Sequence, residues 1–328
     1  MVSIKKTDIL IVGAGPVGMS LAILLKKAKV DFILLDKREA VAKLPRAIAI
    51  NQASLSLFDE LGIFENLKKY AVCIDETQIF WNKKHIGAIN FHNIATKYPY
   101  FLQVSQDIVE QELENLLKNN QISIHRGHEF LVSSSNNGVV LSNIKTKDDT
   151  YQIQSKYLIG IDGGNSNVRK QIGNSLDEES YGSYFILFDI EVSDPIFDKT
   201  RYYFAQDGYC MVVPKNNCEY RVIFSSEFDP KDLLHDNNKE DFLKQYLINK
   251  TGLVFNLKSI KWHVYAKFGH KVSNTIADDY HILAGDALHQ FSPIGGTNMN
   301  FGLQDAVILG GLLPNILKYN DVTLLMAQ

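Results

Sequence analysis

Residues 8–36 read DILIVGAGPVGMSLAILLKKAKVDFILLD. Positions 8–12 are a short continuous apolar run, the pattern of a strand buried on both faces of a parallel sheet. Gly13-Ala14-Gly15-Pro16-Val17-Gly18 follows at once as a G-x-G-x-x-G. Over 19–29, Leu21, Leu24, Leu25 and Ala28 recur at helical spacing, and Phe32–Asp36 makes a second strand that ends in a carboxylate. Each part has a physical task. The first glycine allows the tight turn, the second lets backbone approach a pyrophosphate, and the third lets helix and strand pack closely. Unpaired N–H groups at the helix start meet phosphate charge, and Asp36 can accept hydrogen bonds from ribose hydroxyls. Together they predict a bound dinucleotide. On these residues alone NAD and FAD both stay open.

The same punctuation occurs twice more. Residues 157–161 form an apolar strand followed by Asp162-Gly163-Gly164, and Asn165-Ser166-Asn167-Val168-Arg169 opens a helix there. Residues 280–284 form another, followed by Gly285-Asp286, a Gly295-Gly296 pair after a proline, and a helical run from about Asn298 to Leu313. Three strands thus deliver Asp36, Asp162 and Asp286 to the carboxyl edge, where an open α/β sheet binds its ligands. His289, in the loop after Asp286, reads as structural rather than as an acid or base.

The intervening chain divides by pattern. Pro45-Arg46-Ala47 precedes a helix capped by Asn51 and closed near Gly62, so Arg46 reads either as a surface arginine or as a phosphate or flavin contact. Residues 72–101 carry a hairpin that turns at Asn82-Lys83-Lys84. Ser105 caps a helix over 106–117, with Asp107 and Glu110 in its first turns. Short strands follow, with a turn at Asn136-Asn137-Gly138. Residues 181–268 alternate in polarity and turn at Gln206-Asp207-Gly208, with a helix over 240–249. This predicts an antiparallel sheet, one face of which can roof a pocket for a flat apolar substrate.

Composition narrows the class. Of 328 residues, 45% are hydrophobic and 22% charged, as in an ordinary globular chain, and the net charge of −3 argues against a nucleic-acid surface. Cys73, Cys210 and Cys218 lack metal-ligand spacing, so no metal is expected and a reducing compartment is. No apolar run approaches the ~20 residues of a membrane span, and no signal peptide is read, so the expected location is cytoplasmic.

With the three motifs in view, the chain resembles the FAD-dependent aromatic hydroxylases, the single-component flavoprotein monooxygenases related to para-hydroxybenzoate hydroxylase. The match runs from about Lys6 onward and is carried by Gly13–Gly18, YLIGIDGGNSNVR at 157–169, and 282–305. The resemblance implies an α/β fold: a Rossmann-like (GR2-type) FAD-binding domain (1–71, 102–180 and 270–328) with an inserted antiparallel-sheet substrate domain (72–101 and 181–269). It implies FAD, held by Gly13, Gly15, Pro16, Val17, Gly18, Asp36, Lys37 and Arg38 at its ADP half. Arg46 and Gln106 would contact its phosphate and ribityl regions, as would Gly285 and Asp286. Asp162, Gly163 and Arg169 match a motif that serves both FAD and a transient nicotinamide cofactor, NADPH or NADH. Pro293, Gly295, Gly296, Asn298, Met299 and Asn300 would run beside the isoalloxazine ring. No protein side chain is assigned the chemistry, because flavin carries it through a C4a-hydroperoxide formed with O₂. The partners implied are a small aromatic or other electron-rich substrate and O₂, in a monomer or homodimer. A reductase or oxidase of the same fold, or a low-turnover FAD-binding protein, are the alternatives.

Two departures stand out. Asn298 occupies a position that is usually glycine in the family, so it is expected to take up left-handed backbone and to place a side chain near the flavin. The chain stops at Gln328, soon after the last helix, where relatives continue through further helices. That implies a compact variant or a truncated chain.

Overall fold

The computed structural model describes residues 4–41, 49–173, 175–216, 218–231, 239–291, 294–321 and 323. Strand β1 (Ile9–Val12) is buried along its whole length. Gly13 breaks it with φ +115°, and α1 (Pro16–Lys27) starts on an extended Gly15 with a proline in its first turn. β2 (Phe32–Asp36) follows. α2 (Gln52–Leu61) is capped by Asn51, whose side chain accepts from the Ser54 N–H, and stops at left-handed Gly62. β3 (Glu76–Trp81) and β4 (Lys84–Asn90) form the expected hairpin. Its turn puts both Asn82 and Lys83 at positive φ, as a two-residue hairpin turn demands. α3 (Gln106–Asn119) buries Val109, Glu110, Leu113 and Leu117 on one face. β5 (Ile124–Arg126), β6 (Tyr157–Gly160) and α4 (Asn167–Gln171) complete this half. A four-stranded sheet made by Ile4–Lys6, Thr150–Ser155, Val139–Lys145 and Glu129–Asn136 adjoins it.

Next come β7 (Leu176–Val192), β8 (Thr200–Ala205), β9 (Gly208–Pro214), β10 (Glu219–Ser226), α5 (Lys239–Thr251) and β11 (Leu257–Ser273). β7 and β11 are each 17 residues long and pair antiparallel over most of their length. The domain limits expected near 180 and 269 therefore fall inside two continuous strands. Alternation gives this sheet two apolar faces. One packs Ile186, Phe188, Tyr220, Val222 and Phe224 against Leu243 and Leu247 of α5. The other carries Phe185, Leu187, Tyr209, Met211 and Ile223, with Tyr202 and Trp262 at its margin.

β12 (His281–Leu283), β13 (His289–Gln290) and α6 (Thr297–Tyr319) close the chain. The nucleotide-type sheet then has the order β12-β6-β1-β2-β5, parallel throughout. β13 joins the edge of the eight-stranded sheet, ordered β13-β11-β7-β10-β9-β8-β3-β4. α6 overruns its expected end at Leu313 despite Pro314. A proline forfeits a helical bond to residue i−4, but Leu309, Leu313 and Ile316 are all buried, so packing on both sides of the ring holds the helix together. Among the described residues no helix is long and apolar enough to cross a membrane.

Candidate functional site

The three motif glycines do different work. A Cβ on Gly13 would lie 2.1 Å from the Ile161 carbonyl oxygen, and one on Gly18 would lie 1.9 Å from the Gly13 carbonyl oxygen. Both positions are closed by protein. At Gly15 an added Cβ meets nothing within 4 Å. Gly15 is also the N-cap of α1, where no side chain caps the first N–H groups. An open position over unpaired backbone donors is a cradle for an anionic group. Pro16 and Val17 are buried beside it, and Val17 packs against Gly285 and Gly302, bringing the start of α1 to the turn after β12.

Asp36, only 6% exposed, anchors a charged cluster at the end of β2. It accepts from the Ala14 N–H and the Arg38 N–H, both at 2.8 Å, and from Arg38 Nε and Nη2 at 3.1 and 3.0 Å. Burial pushes this carboxyl up, but the Arg38 guanidinium and the two backbone N–H groups outweigh it and hold the group below its usual range. Arg38 Nη1 also reaches the buried Glu110 at 3.3 Å, and Gln106 Nε2 donates to Glu110 at 2.8 Å. Lys37 points to solvent. Arg126, at the end of β5, brings Nη1 to 3.5 Å from Asp36 Oδ2 and donates from Nη2 to Glu114 at 3.4 Å, yet its buried Nε and Nη1 have no hydrogen-bond partner among the described residues.

At the end of β6, Asp162 caps α4: it accepts from Ser166 Oγ at 2.5 Å and from the Asn167 N–H at 2.7 Å. Arg169 turns inward, donating to the Ala287 carbonyl at 2.8 Å and the Gly164 carbonyl at 2.7 Å. The two side chains thus tie the Asp162 loop to the Asp286 turn. Gly163 has φ +85° and open space above it.

The turn after β12 is fixed from α6. Asp305 Oδ2 accepts from the Gly285 N–H at 2.7 Å and pairs with His289 Nε2 at 2.8 Å. This leaves the Asp286 side chain on the exposed side of the turn. His289 stacks on Phe291, its ring centroid 5.4 Å away. Asn298 departs from expectation. It lies inside α6 and is not among the positive-φ residues, where Gly295 and Gly296 take the left-handed positions. Its amide is spent on the backbone of Phe291, accepting from the N–H at 2.7 Å and donating to the carbonyl at 3.1 Å. Gly296 is held close to Ala49, where a Cβ would come within 2.8 Å of the Ala49 Cβ. Asn300, 1% exposed, donates to the Ala49 and Gly296 carbonyls. Met299 is buried beside it. The Gly295 N–H lies beside the Tyr202 hydroxyl of the large sheet and draws its pKa down against the larger rise caused by burial. Pro45, Arg46 and Pro293 lie outside the described residues.

These groups converge on the carboxyl edge of β12, β6, β1, β2 and β5, on both sides of the point where strand order reverses about β1. The residues fit a dinucleotide: an open glycine over helix N–H groups, a buried carboxylate, and beside it a guanidinium with two buried nitrogens still to satisfy. Beyond them, a tight Gly295-Gly296 turn faces an apolar sheet. Sequence reasoning missed Arg126, because the strand was read as ending at residue 125. It also missed Tyr202 and Asp305, which only tertiary packing brings to the turn.

A family model described as FAD binding domain matches residues 6–326. An aromatic compound monooxygenase of Bacillus subtilis, itself named as uncharacterized, is 29% identical over 319 residues, covering 95% of this chain and 62% of its own length. Rifampicin monooxygenase of Rhodococcus hoagii is 28% identical over 315 residues, covering 93% and 63%. The crystal structure of p-nitrophenol 4-monooxygenase from Pseudomonas putida superposes with a TM-score of 0.86 at 20% identity, over 98% of this chain and 83% of that one. That likeness is one of fold. The chain spans about three fifths of the length of the two curated relatives.

Proposed function

The chain belongs to the FAD-binding domain family, and from that premise we propose a flavoprotein monooxygenase that uses NAD(P)H and O₂ to hydroxylate a small aromatic or other electron-rich substrate. One observation carries the proposal. The apolar face with Phe185, Leu187, Met211 and Ile223 has Tyr202 packed at its margin, and the Tyr202 hydroxyl lies beside the Gly295 N–H of the Gly295-Gly296 turn. A flat ring held at that turn therefore has an apolar wall beside it, the setting in which a flat substrate is bound and water is kept away. The names of the relatives support the same reaction class.

FAD, when bound, supplies the redox chemistry, accepting reducing equivalents from the nicotinamide and activating oxygen. The chain binds and orients it. Gly15 and the first N–H groups of α1 take the pyrophosphate, and Asp36 and Arg126 flank the ribose. Asp286 meets the phosphate-ribityl chain, and Gly295, Gly296 and the start of α6 line the ring. In this assignment residues 1–71, 102–180 and 270–328 form the cofactor half and the rest the substrate half. The test is to reconstitute purified protein with FAD, follow NADH and NADPH consumption with an arene panel, and identify products by mass spectrometry. Oxygenated product supports the proposal. Nicotinamide oxidation that yields only hydrogen peroxide with every arene would assign a reductase or oxidase instead.

A further inference from the structure

On the apolar face of the large sheet, the hydroxyl of Tyr209 is sealed from solvent and has no hydrogen-bond partner among the described residues. Strand register places it. Val272 and Lys271 of β11 pair with His289 and Gln290, the start of the loop that leads to Gly295. Across β7 their partners are Asp177 and Glu178, so positions recede from that loop as β7 runs on to Asp189. Phe185 stands opposite Ser225, and Ser225 Oγ accepts from the Tyr209 N–H at 3.2 Å. Tyr209 therefore lies in the row of Phe185. Its neighbour on β8 is Phe204, and one row further Met211 faces Tyr202, whose hydroxyl lies beside the Gly295 N–H.

Burial pushes the Tyr209 phenol up, so the group stays protonated and acts as a donor. What would satisfy it is an acceptor oxygen. The charges on this face lie two rows beyond and pair with one another: Arg221 Nε and Nη2 reach Asp189 at 2.7 and 2.8 Å, and Lys215 Nζ reaches it at 2.9 Å. Nothing in that arrangement asks for an anionic substrate.

We propose that Tyr209 is a substrate-selecting residue, its Oη–H donating to an oxygen carried by the ring of a neutral arene such as a phenol or an aryl ketone. Phe204, opposite Tyr209 and 37% exposed, is the ring that yields to admit it. This inference rests on the monooxygenase reading.

The test uses FAD-reconstituted wild type and Tyr209→Phe, titrated without NAD(P)H against 2-naphthol and 2-methylnaphthalene and followed by the flavin difference spectrum. The variant is expected to weaken 2-naphthol about tenfold, as for one lost hydrogen bond, and to leave 2-methylnaphthalene within about twofold. Unchanged 2-naphthol binding, or equal loss for both probes, overturns the inference. Wild type that binds neither probe overturns the arene reading itself. Unfolding of the ligand-free proteins gives a second readout. Tyr209→Phe removes a hydroxyl without a partner and is expected to be at least as stable as wild type; a lower melting temperature would show a partner and overturn the assignment.

Discussion

Replacing Gly15 or Gly18 with alanine separates binding from folding within one motif. Gly15 has φ −79° and ψ −174°, a conformation any residue adopts, and a Cβ there meets no protein atom within 4 Å. Gly15→Ala is therefore expected to change the stability of the ligand-free chain by less than about 0.5 kcal/mol. In the proposed site it places a methyl where the pyrophosphate would approach. Losing one charge-assisted backbone contact costs about 1.5–3 kcal/mol, or roughly 10- to 150-fold in the Kd for FAD. Gly18 is the opposite case. Its Cβ would sit 1.9 Å from the Gly13 carbonyl oxygen, where such contacts essentially never fall under 3.0 Å, so the start of α1 must retreat by about 1 Å. Overpacking of this kind costs about 1–3 kcal/mol or more. Urea unfolding of the ligand-free proteins reads the stability, and flavin fluorescence quenching on titration with FAD reads the affinity. Gly15→Ala with wild-type affinity, or Gly18→Ala with wild-type stability, refutes the division of labour.

Asp36 predicts an acid limb. Its carboxyl is held below the ordinary 3.8, so its contribution is fully present above that value and is lost as pH falls through the depressed folded value. Stability of the ligand-free protein should drop below about pH 4, and Asp36→Asn should flatten that drop; an unchanged pH profile would count against the cluster. Asp286→Ala, at an exposed side chain, should weaken FAD retention. His289→Ala, which strips a partner from Asp305, should cost about 1–3 kcal/mol of stability; equal loss of FAD retention in the two variants would contradict the assignment. Asn298→Gly removes both bonds to Phe291, so amide exchange at Phe291 should accelerate by one to two orders of magnitude, as for about 1–3 kcal/mol. Unaltered exchange would show that the loop does not depend on them.

Much of the site was legible because its signals are local. Strands such as β1 and β6, buried on every residue, leave unbroken apolar runs in the sequence. The glycines that follow them carry positive φ that few other residues accept. The caps at Asn51 and Gly62 and the turn at Asn137-Gly138 are read from two or three residues. What escaped was non-local. Asn298 was expected in left-handed backbone near the flavin, yet its amide finds the backbone of Phe291, seven residues back. Arg126 carries no periodicity of its own, since its strand is half-buried at all three positions. The length of β7 and β11 was hidden by register shifts, as near Asp189, which break the period-two alternation a strand otherwise shows. Tyr209 read as one aromatic among many until the sheet placed it one row from Tyr202 on its apolar face.

The parallel order β12-β6-β1-β2-β5 also sets a timetable for synthesis. β6 pairs with β1 on one side, but its other side waits for β12, which begins 121 positions after Gly160. At about 5–20 residues per second that interval lasts roughly 6–24 s. During it a strand that ends up wholly buried shows its backbone donors and acceptors to whatever lies near the ribosome, the situation in which sheet edges recruit other chains. Nascent chains released before residue 283 never cover that edge. Premature termination within this window should yield the stickiest fragments, and holding by chaperones during it should raise the yield of native protein.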